Sequence, residues 1–239
     1  MMFTFRSQVL PTLGALVLMA PLVAHSNAAA PEPPRILVDT TYVPRPGQTI
    51  SVSAGGDLQR ALDAAQPGDR VLLAPGAVFT GNFELRPKTG SDWIYIETDA
   101  TPLLTPSGVR ISPQTGLPKI VSPNSAPALY AGPGAANYRI AGIEVTTSAS
   151  YSYQLIALEK ASRITIDRCY IHGTPSGTLR RGILGNASHL AVIDSYIADA
   201  HEAGMDSQAI LVYDSPGPGR LLDGGRVVVA DLFEVRRSP

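Results

Sequence analysis

Apolar residues in the middle of the chain recur in a fixed order rather than along one helical stripe. Tyr138, Ile140, Ile143 and Val145 align with Ile164, Ile166, Cys169 and Ile171, and these with Leu190, Val192, Ser195 and Ile197, each set 26 residues after the last. A second track, Leu158, Leu184 and Ile210, follows the same step of 26, and Ala161-Ser162 returns as Ala187-Ser188. Within each copy the apolar positions alternate, skip two residues and alternate again. Alternation marks a strand with one buried face, and the skip marks a corner. A unit this short cannot bury its inner face alone, so the copies must stack. Parallel strands about 4.8 Å apart then pair their backbone groups from coil to coil. The pattern predicts an all-β fold, a right-handed parallel β-helix. Leucine-rich repeats have similar lengths, but their LxxLxL strand and Asn or Cys ladder do not recur here.

Upstream, the period is that of a helix. From Asp57 the residues Leu58, Ala61, Leu62 and Ala65 fall at i, i+3, i+4 and i+7, with Asp57 as N-cap and Pro67-Gly68 ending the run. This predicts a short amphipathic helix that caps the coils. Strand-like runs follow at Arg70 to Ala74, Val78 to Leu85 and Trp93 to Glu97. Downstream, the period fails: Pro216 and Pro218 fall on the inward positions of the next copy, and Asp223 falls where Ile197 predicts an apolar residue. Proline cannot donate to a ladder, so a coil there requires a register slip, after which Val227 to Val229 could still form a strand. Two readings stay open: a short β-helix with an irregular tail, or a fragment of a longer β-helix protein.

The N-terminus carries Arg6, an apolar stretch from Val9 to Val23 and small residues at Ser26-Asn27-Ala28. This reads as a secretory signal over residues 1–28, followed by a Pro-rich linker at 29–48, a β-helix domain at 49–215 and a tail at 216–239 where the repeat is broken. Pro11, Gly14 and Pro21 punctuate an apolar stretch shorter than the roughly 20 residues of a membrane span. The expectation is a secreted or periplasmic protein with no span after signal cleavage. With 44% hydrophobic residues the 239-residue chain can bury a continuous core. A net charge of −1 and only 16% charged residues give no footprint for a nucleic-acid partner. The one cysteine, Cys169, cannot form an intrachain disulfide, and it takes the inward place of Ile143 and Ser195, so it reads as core.

The stretch Gly56-Asp57-Leu58-Gln59 through Ala64-Ala65-Gln66-Pro67-Gly68-Asp69, followed by Val71-Leu72-Leu73 and Gly81-Asn82-Phe83, resembles the N-terminal cap and first coil of the pectin-lyase-like right-handed β-helix superfamily. The resemblance extends over residues 49–215. It implies a helix that plugs the open end and shields a sheet edge, and a polysaccharide bound in a groove along the outside of the coils. Eliminative cleavage of a uronate needs a base for the C5 proton and a cation, from the protein or bound calcium, at the carboxylate. Hydrolysis needs two carboxyl groups across the bond. The Asn-Thr-Asp, Asp-Asp, Gly-His-Gly and Arg-Ile-Lys set of polygalacturonases is absent, as are the Trp-Ile-Asp-His and Arg-x-Pro-x-x-Arg of pectate lyases. The cap also resembles that of alginate and chondroitin lyases, which favours a lyase over a hydrolase if the chain is an enzyme.

Candidate chemistry concentrates between His172 and Asp214, a stretch that includes His172, Asp199, His201, Glu202 and Asp206 with Arg180 and Arg181. His201, Glu202 and Asp206 are expected on a loop beside the coil, where they could bind a cation or serve as acid and base. The plainer reading makes them solvated turn formers, with Asp206 capping the turn before the next strand. Tyr170 and Tyr196, one repeat apart, are expected to stack on the outer face and, with Arg180 and Arg181, to contact a sugar. His189 matches Arg163 and Asn137 at an exposed turn, and Asn186-Ala187-Ser188 is a glycosylation sequon. No cofactor is evident; calcium is the metal this chemistry would recruit. The functional expectation is an exported carbohydrate-associated β-helix protein that binds or cleaves a polysaccharide, with a non-catalytic surface or adhesion module, or an inactive fragment, as the alternatives.

Overall fold

The computed structural model describes residues 39–42, 46–98, 106, 108–113 and 116–213, and the backbone of 227–230. The expected signal, most of the linker and most of the tail lie outside the described residues.

Among the described residues fifteen strands and one helix follow in chain order: β1 (Thr49–Val52), α1 (Leu58–Ala64), β2 (Arg70–Leu73), β3 (Val78–Thr80), β4 (Phe83–Leu85), β5 (Ile94–Thr98), β6 (Lys119–Ser122) and β7 (Leu129–Ala131), then β8 (Ala136–Ala141), β9 (Glu144–Thr147), β10 (Tyr151–Asp167), β11 (Tyr170–His172), β12 (Thr178–Ile193), β13 (Tyr196–Ala198), β14 (Gln208–Val212) and β15 (Val227–Ala230). Every pairing between named strands is parallel. The chain is a parallel β-solenoid with three strand faces. One face runs β4, β7, then the first halves of β10 and β12, then β14. The second runs β1, β2, β5, β8, the second halves of β10 and β12, and β15. The third is the separate sheet β3, β6, β9, β11 and β13.

The inward residues stack as alternation requires. Ile50, Val71, Ile96, Ile140, Ile166 and Val192 pair in one continuous ladder, and the backbone of Val229 continues its register. Val71 through Val192 in that ladder are fully buried, each contributing about 1.5–3 kcal/mol by leaving water. On the third face Ile120, Val145, Ile171 and Ile197 form a second such ladder. The two-residue skip has a backbone cause: Gly142, Arg168 and Asp194 are left-handed, with φ of 65°, 48° and 51°. That conformation undoes one step of alternation, so Ile140 and Ile143 both face the core although three positions separate them. Asn137, Arg163 and His189 repeat the device at the preceding corner, with φ of 61°, 51° and 59°, and His189 is exposed there as expected.

The second track is corrected by the register. Leu158 pairs with Gly185 and Leu184 with Leu211, while Ile156, Ile183 and Ile210 form the true ladder. The cause is a bulge in β10 between Glu159 and Ala161, where Lys160 takes φ of 53°. It inserts one residue upstream of Ala161, so the step of 26 holds only downstream of it.

The expected cap forms. The Asp57 side chain accepts from the Arg60 amide at 2.9 Å, and Leu58, Ala61, Leu62 and Ala65 are buried against the first coil. Gln59 shields the edge of β4 directly. Its Oε1 accepts from the Glu84 amide at 2.8 Å and its Nε2 donates to the Glu84 carbonyl at 3.1 Å, so a side-chain amide takes the place of a neighbouring strand. At the other end, pairing resumes when Val227–Ala230 joins Leu190–Ile193. This is the strand expected at Val227 to Val229, while Pro216 and Pro218 lie outside the described residues.

Candidate functional site

On each strand of the third face the residue before the inward apolar position points outward. These are Val78, Lys119, Glu144, Tyr170 and Tyr196, on successive coils, with Val78 paired in register to Lys119, Lys119 to Glu144, Glu144 to Tyr170 and Tyr170 to Tyr196. His172 follows Ile171 and points to the same side. A cavity of about 530 Å³ opens here, lined by Val78, Lys119, Glu144, Tyr170 and His172 and walled by Pro113, Gly116 and Leu117. The wall belongs to the segment between β5 and β6, of which residues 106, 108–113 and 116–118 are described. Asp194 anchors it: the Gly108 amide donates to Oδ2 at 2.7 Å and the Ile111 amide to the Asp194 carbonyl at 2.8 Å. Anchoring brings the Arg110 guanidinium to 5.5 Å from the centre of the Tyr196 ring, a cation over a π-face.

Glu144 organises the floor of this groove. Its Oε1 receives Lys119 Nζ at 2.6 Å and lies 2.9 Å from His172 Nε2. Burial pushes the Glu144 carboxyl up, but the hydrogen bonds and charges of His172 and Lys119 outweigh it and hold the group below its ordinary value. His172 Nδ1 lies 2.6 Å from the Gly173 carbonyl, which can only accept, so Nδ1 carries a proton. Nε2 then shares its proton with an ionised carboxylate, and both ring nitrogens are engaged. Tyr170 stacks on that ring with centroids 4.2 Å apart and meets Tyr196 edge-on at 5.8 Å. Burial first, and then the negative charges of Asp199 and Glu144, push the Tyr170 phenol up to about 12. At neutral pH it is a proton donor, not a base.

The residues expected from the sequence fall in two places. Tyr170 lines the groove and Tyr196 stands one coil further along the same face, and their ladder is the one the repeat predicts. Arg180 and Arg181 lie around the corner at the start of β12, with guanidinium carbons 5.3 and 4.7 Å from the centre of the Tyr153 ring. His201, Glu202 and Asp206 lie on the loop between β13 and β14. The His201 carbonyl accepts from the Leu179 amide at 3.1 Å, Glu202 Oε2 stands 3.6 Å from Arg180 Nε, and Asp206 is exposed. Among the described residues no three His, Cys, Asp or Glu side chains are grouped so as to hold a metal ion, and no helix is long and apolar enough to cross a membrane.

Lys119 and Glu144 were not singled out by the sequence reading. The signal was present: each precedes an inward residue of a recurring ladder, the place Tyr170 and Tyr196 hold one and two coils later. Cys169 is core, as expected. It is fully buried, its Sγ lies 3.5 Å from the carbonyls of Ile140 and Asp167, and burial pushes its thiol up to about 12. Its neighbour one coil on, Ser195, accepts from the Cys169 amide at 3.1 Å.

No protein-family model matches the chain, and no curated protein matches its sequence. Among solved structures the fold is similar to that of the alginate lyase from Paenibacillus sp. str. FPU-7, with a TM-score of 0.58 and 21% sequence identity over 80% of this chain and 58% of that one. The chain thus spans 58% of that neighbour's length. At this identity the likeness is one of fold alone: the chain is a parallel β-solenoid of the kind a polysaccharide lyase also uses.

Proposed function

We propose that this chain is an exported, carbohydrate-associated member of the pectin-lyase-like β-helix superfamily that binds an acidic polysaccharide along its third face. The observation that carries the reading is the groove over Lys119, Glu144, Tyr170 and His172. It joins an aromatic surface for a sugar ring to cations for a carboxylate, and it runs across successive coils, as a linear polymer requires. Arg110 over Tyr196 supplies a second cation further along the same face. The fold likeness to an alginate lyase supports an acidic polymer as the ligand class.

Binding is what the resting geometry serves directly, because both nitrogens of His172 are engaged and Tyr170 holds its proton. Cleavage by elimination would divide the work differently. Lys119 would neutralise the uronate carboxylate, His172 would take the C5 proton at Nε2 once the proton held there has passed to Glu144, and the Tyr170 phenol would protonate the leaving oxygen. His201, Glu202 and Asp206 are the second candidate set for acid and base, on the loop that follows β13.

The test is to incubate the secreted protein with a panel of polyuronates and with their carboxyl-reduced, neutral forms. Retention by acidic polymers only, weakened at least about tenfold by Lys119→Gln, is the expected result. Appearance of unsaturated uronate ends would make the protein a lyase, and retention without them a binding module. Equal retention on acidic and neutral polymers would overturn the reading.

A further inference from the structure

Buried polar atoms in folded proteins almost always have partners, and each exception calls for a cause. Among the described residues ten buried side-chain nitrogen or oxygen atoms lack a hydrogen bond, and seven of them sit in one place: Gln154 Oε1, Arg180 Nε, Arg181 Nε and Nη1, Glu202 Oε2, Ser207 Oγ and Gln208 Oε1. Gln154, Arg181 and Gln208 are stacked in register on β10, β12 and β14. Arg180 is next in sequence to one of them and Ser207 to another, and Glu202 reaches Arg180 from the loop. Arg181 is 7% exposed. Its charge faces the Tyr153 ring, and no carboxylate pairs with it among the described residues. Burying a guanidinium without an anion costs several kcal/mol, and the fold offers no structural return for it here.

We infer that this corner is an anion subsite held shut by its own loop, in which the Glu202 carboxylate stands where the carboxylate of a uronic acid binds. The contact it makes is poor. At 3.6 Å from Arg180 Nε it forms no hydrogen bond, whereas the Lys119 and Glu144 pair closes to 2.6 Å. The loop that carries it is lightly tied, through Leu179 N to the His201 carbonyl at 3.1 Å and Met205 N to the Glu202 carbonyl at 3.3 Å. Gly204, at φ of 74° with open space around it, gives a pivot. When the loop lifts, a uronate carboxylate takes the Arg180 and Arg181 donors, and the sugar hydroxyls reach Ser207 Oγ and the two amide oxygens. The Tyr153 ring, 37% exposed, covers the sugar face. Arg180 follows His172 by eight residues on the same coil, so the subsite rests on the reading of the groove as a polysaccharide site and adds to it a place for one further acidic residue of the polymer.

The experiment is calorimetric titration of the full chain with sodium glucuronate, a single acidic sugar, beside retention on polyuronate, which reads the groove. Glu202→Gln is expected to tighten glucuronate binding about threefold to tenfold, because the internal competitor is gone. Arg181→Gln is expected to abolish it while leaving the far-ultraviolet circular dichroism and melting of the protein in place. Polyuronate retention with no effect of Glu202→Gln or Arg181→Gln on glucuronate would overturn the subsite and leave the groove standing. Glucuronate binding that Glu202→Gln tightens, in a protein that retains no polyuronate, would keep the subsite and overturn the groove.

Discussion

Two clusters of arginine and carboxylate in this molecule have nearly the same composition and opposite states. Around Asp167 everything is paired. Arg139 Nη2 lies 2.8 Å from Oδ2, Arg168 Nε lies 2.8 Å from Oδ1, and Arg139 Nη1 donates to the Thr40 carbonyl at 2.8 Å. Asp167 holds the Arg168 guanidinium above its ordinary value, against burial. At the β10, β12 and β14 corner, Arg181 is buried, Arg180 and Glu202 are half-buried, and all three are almost unpaired. A cluster that completes itself serves the fold by fixing a corner where Arg168 must be left-handed. A cluster that leaves its donors open serves something the chain does not contain.

That contrast orders the consequences of substitution. The largest effect is expected at Asp167→Asn, which strands the buried Arg139 charge and loosens the Arg168 corner. Urea unfolding should show a loss of about 3–5 kcal/mol. Arg181→Gln, at a site just as buried, should cost nothing or stabilise slightly, and a loss comparable to that of Asp167→Asn would erase the distinction. Ile166→Ala in the central ladder should cost about 2–4 kcal/mol, and the ladder account fails if the cost is below that of an ordinary surface change.

Glu144 gives a smaller, pH-dependent effect. Its folded carboxyl is held below the ordinary value of 4.5, so its contribution to stability is complete above that value and is lost as pH falls through the lowered one. Wild type should therefore lead Glu144→Gln by about 1–2 kcal/mol at neutral pH, with the lead shrinking as pH falls below the ordinary value. A constant lead would mean that the carboxylate charge is not what the groove uses. The smallest effect concerns Cys169. With its thiol pushed up to about 12 and sealed in the core, it should resist thiol reagents in the native protein and react only at the rate of unfolding.

Much of the fold was legible because the solenoid repeats its inward residues, and inward residues are constrained by volume. Tyr138, Ile164 and Leu190 announce their coil without any help from neighbours. The second track was misread by one position because a bulge at Lys160 leaves no mark in hydrophobicity: Leu158 and Leu184 are as apolar as the residues that truly pair. The wall at 108–113 and 116–117 was illegible for a different reason, since Gly108 and Ile111 are held by Asp194, far along the chain, and not by any local pattern. In the site, Tyr170 and Tyr196 were found because like residues repeat. Lys119 and Glu144 were missed because opposite charges occupy equivalent places, and a search for similarity passes over complementarity.

The central claim is that the third face recognises an acidic polymer through Lys119 and His172 over the Tyr170 and Tyr196 surface. It is tested most directly by measuring the affinity of the protein for one polyuronate and for its carboxyl-reduced form, with and without Lys119→Gln. The account predicts binding to the acidic form only, reduced at least about tenfold by the substitution. Equal affinity for both forms, or an acidic affinity that Lys119→Gln leaves unchanged, would contradict it.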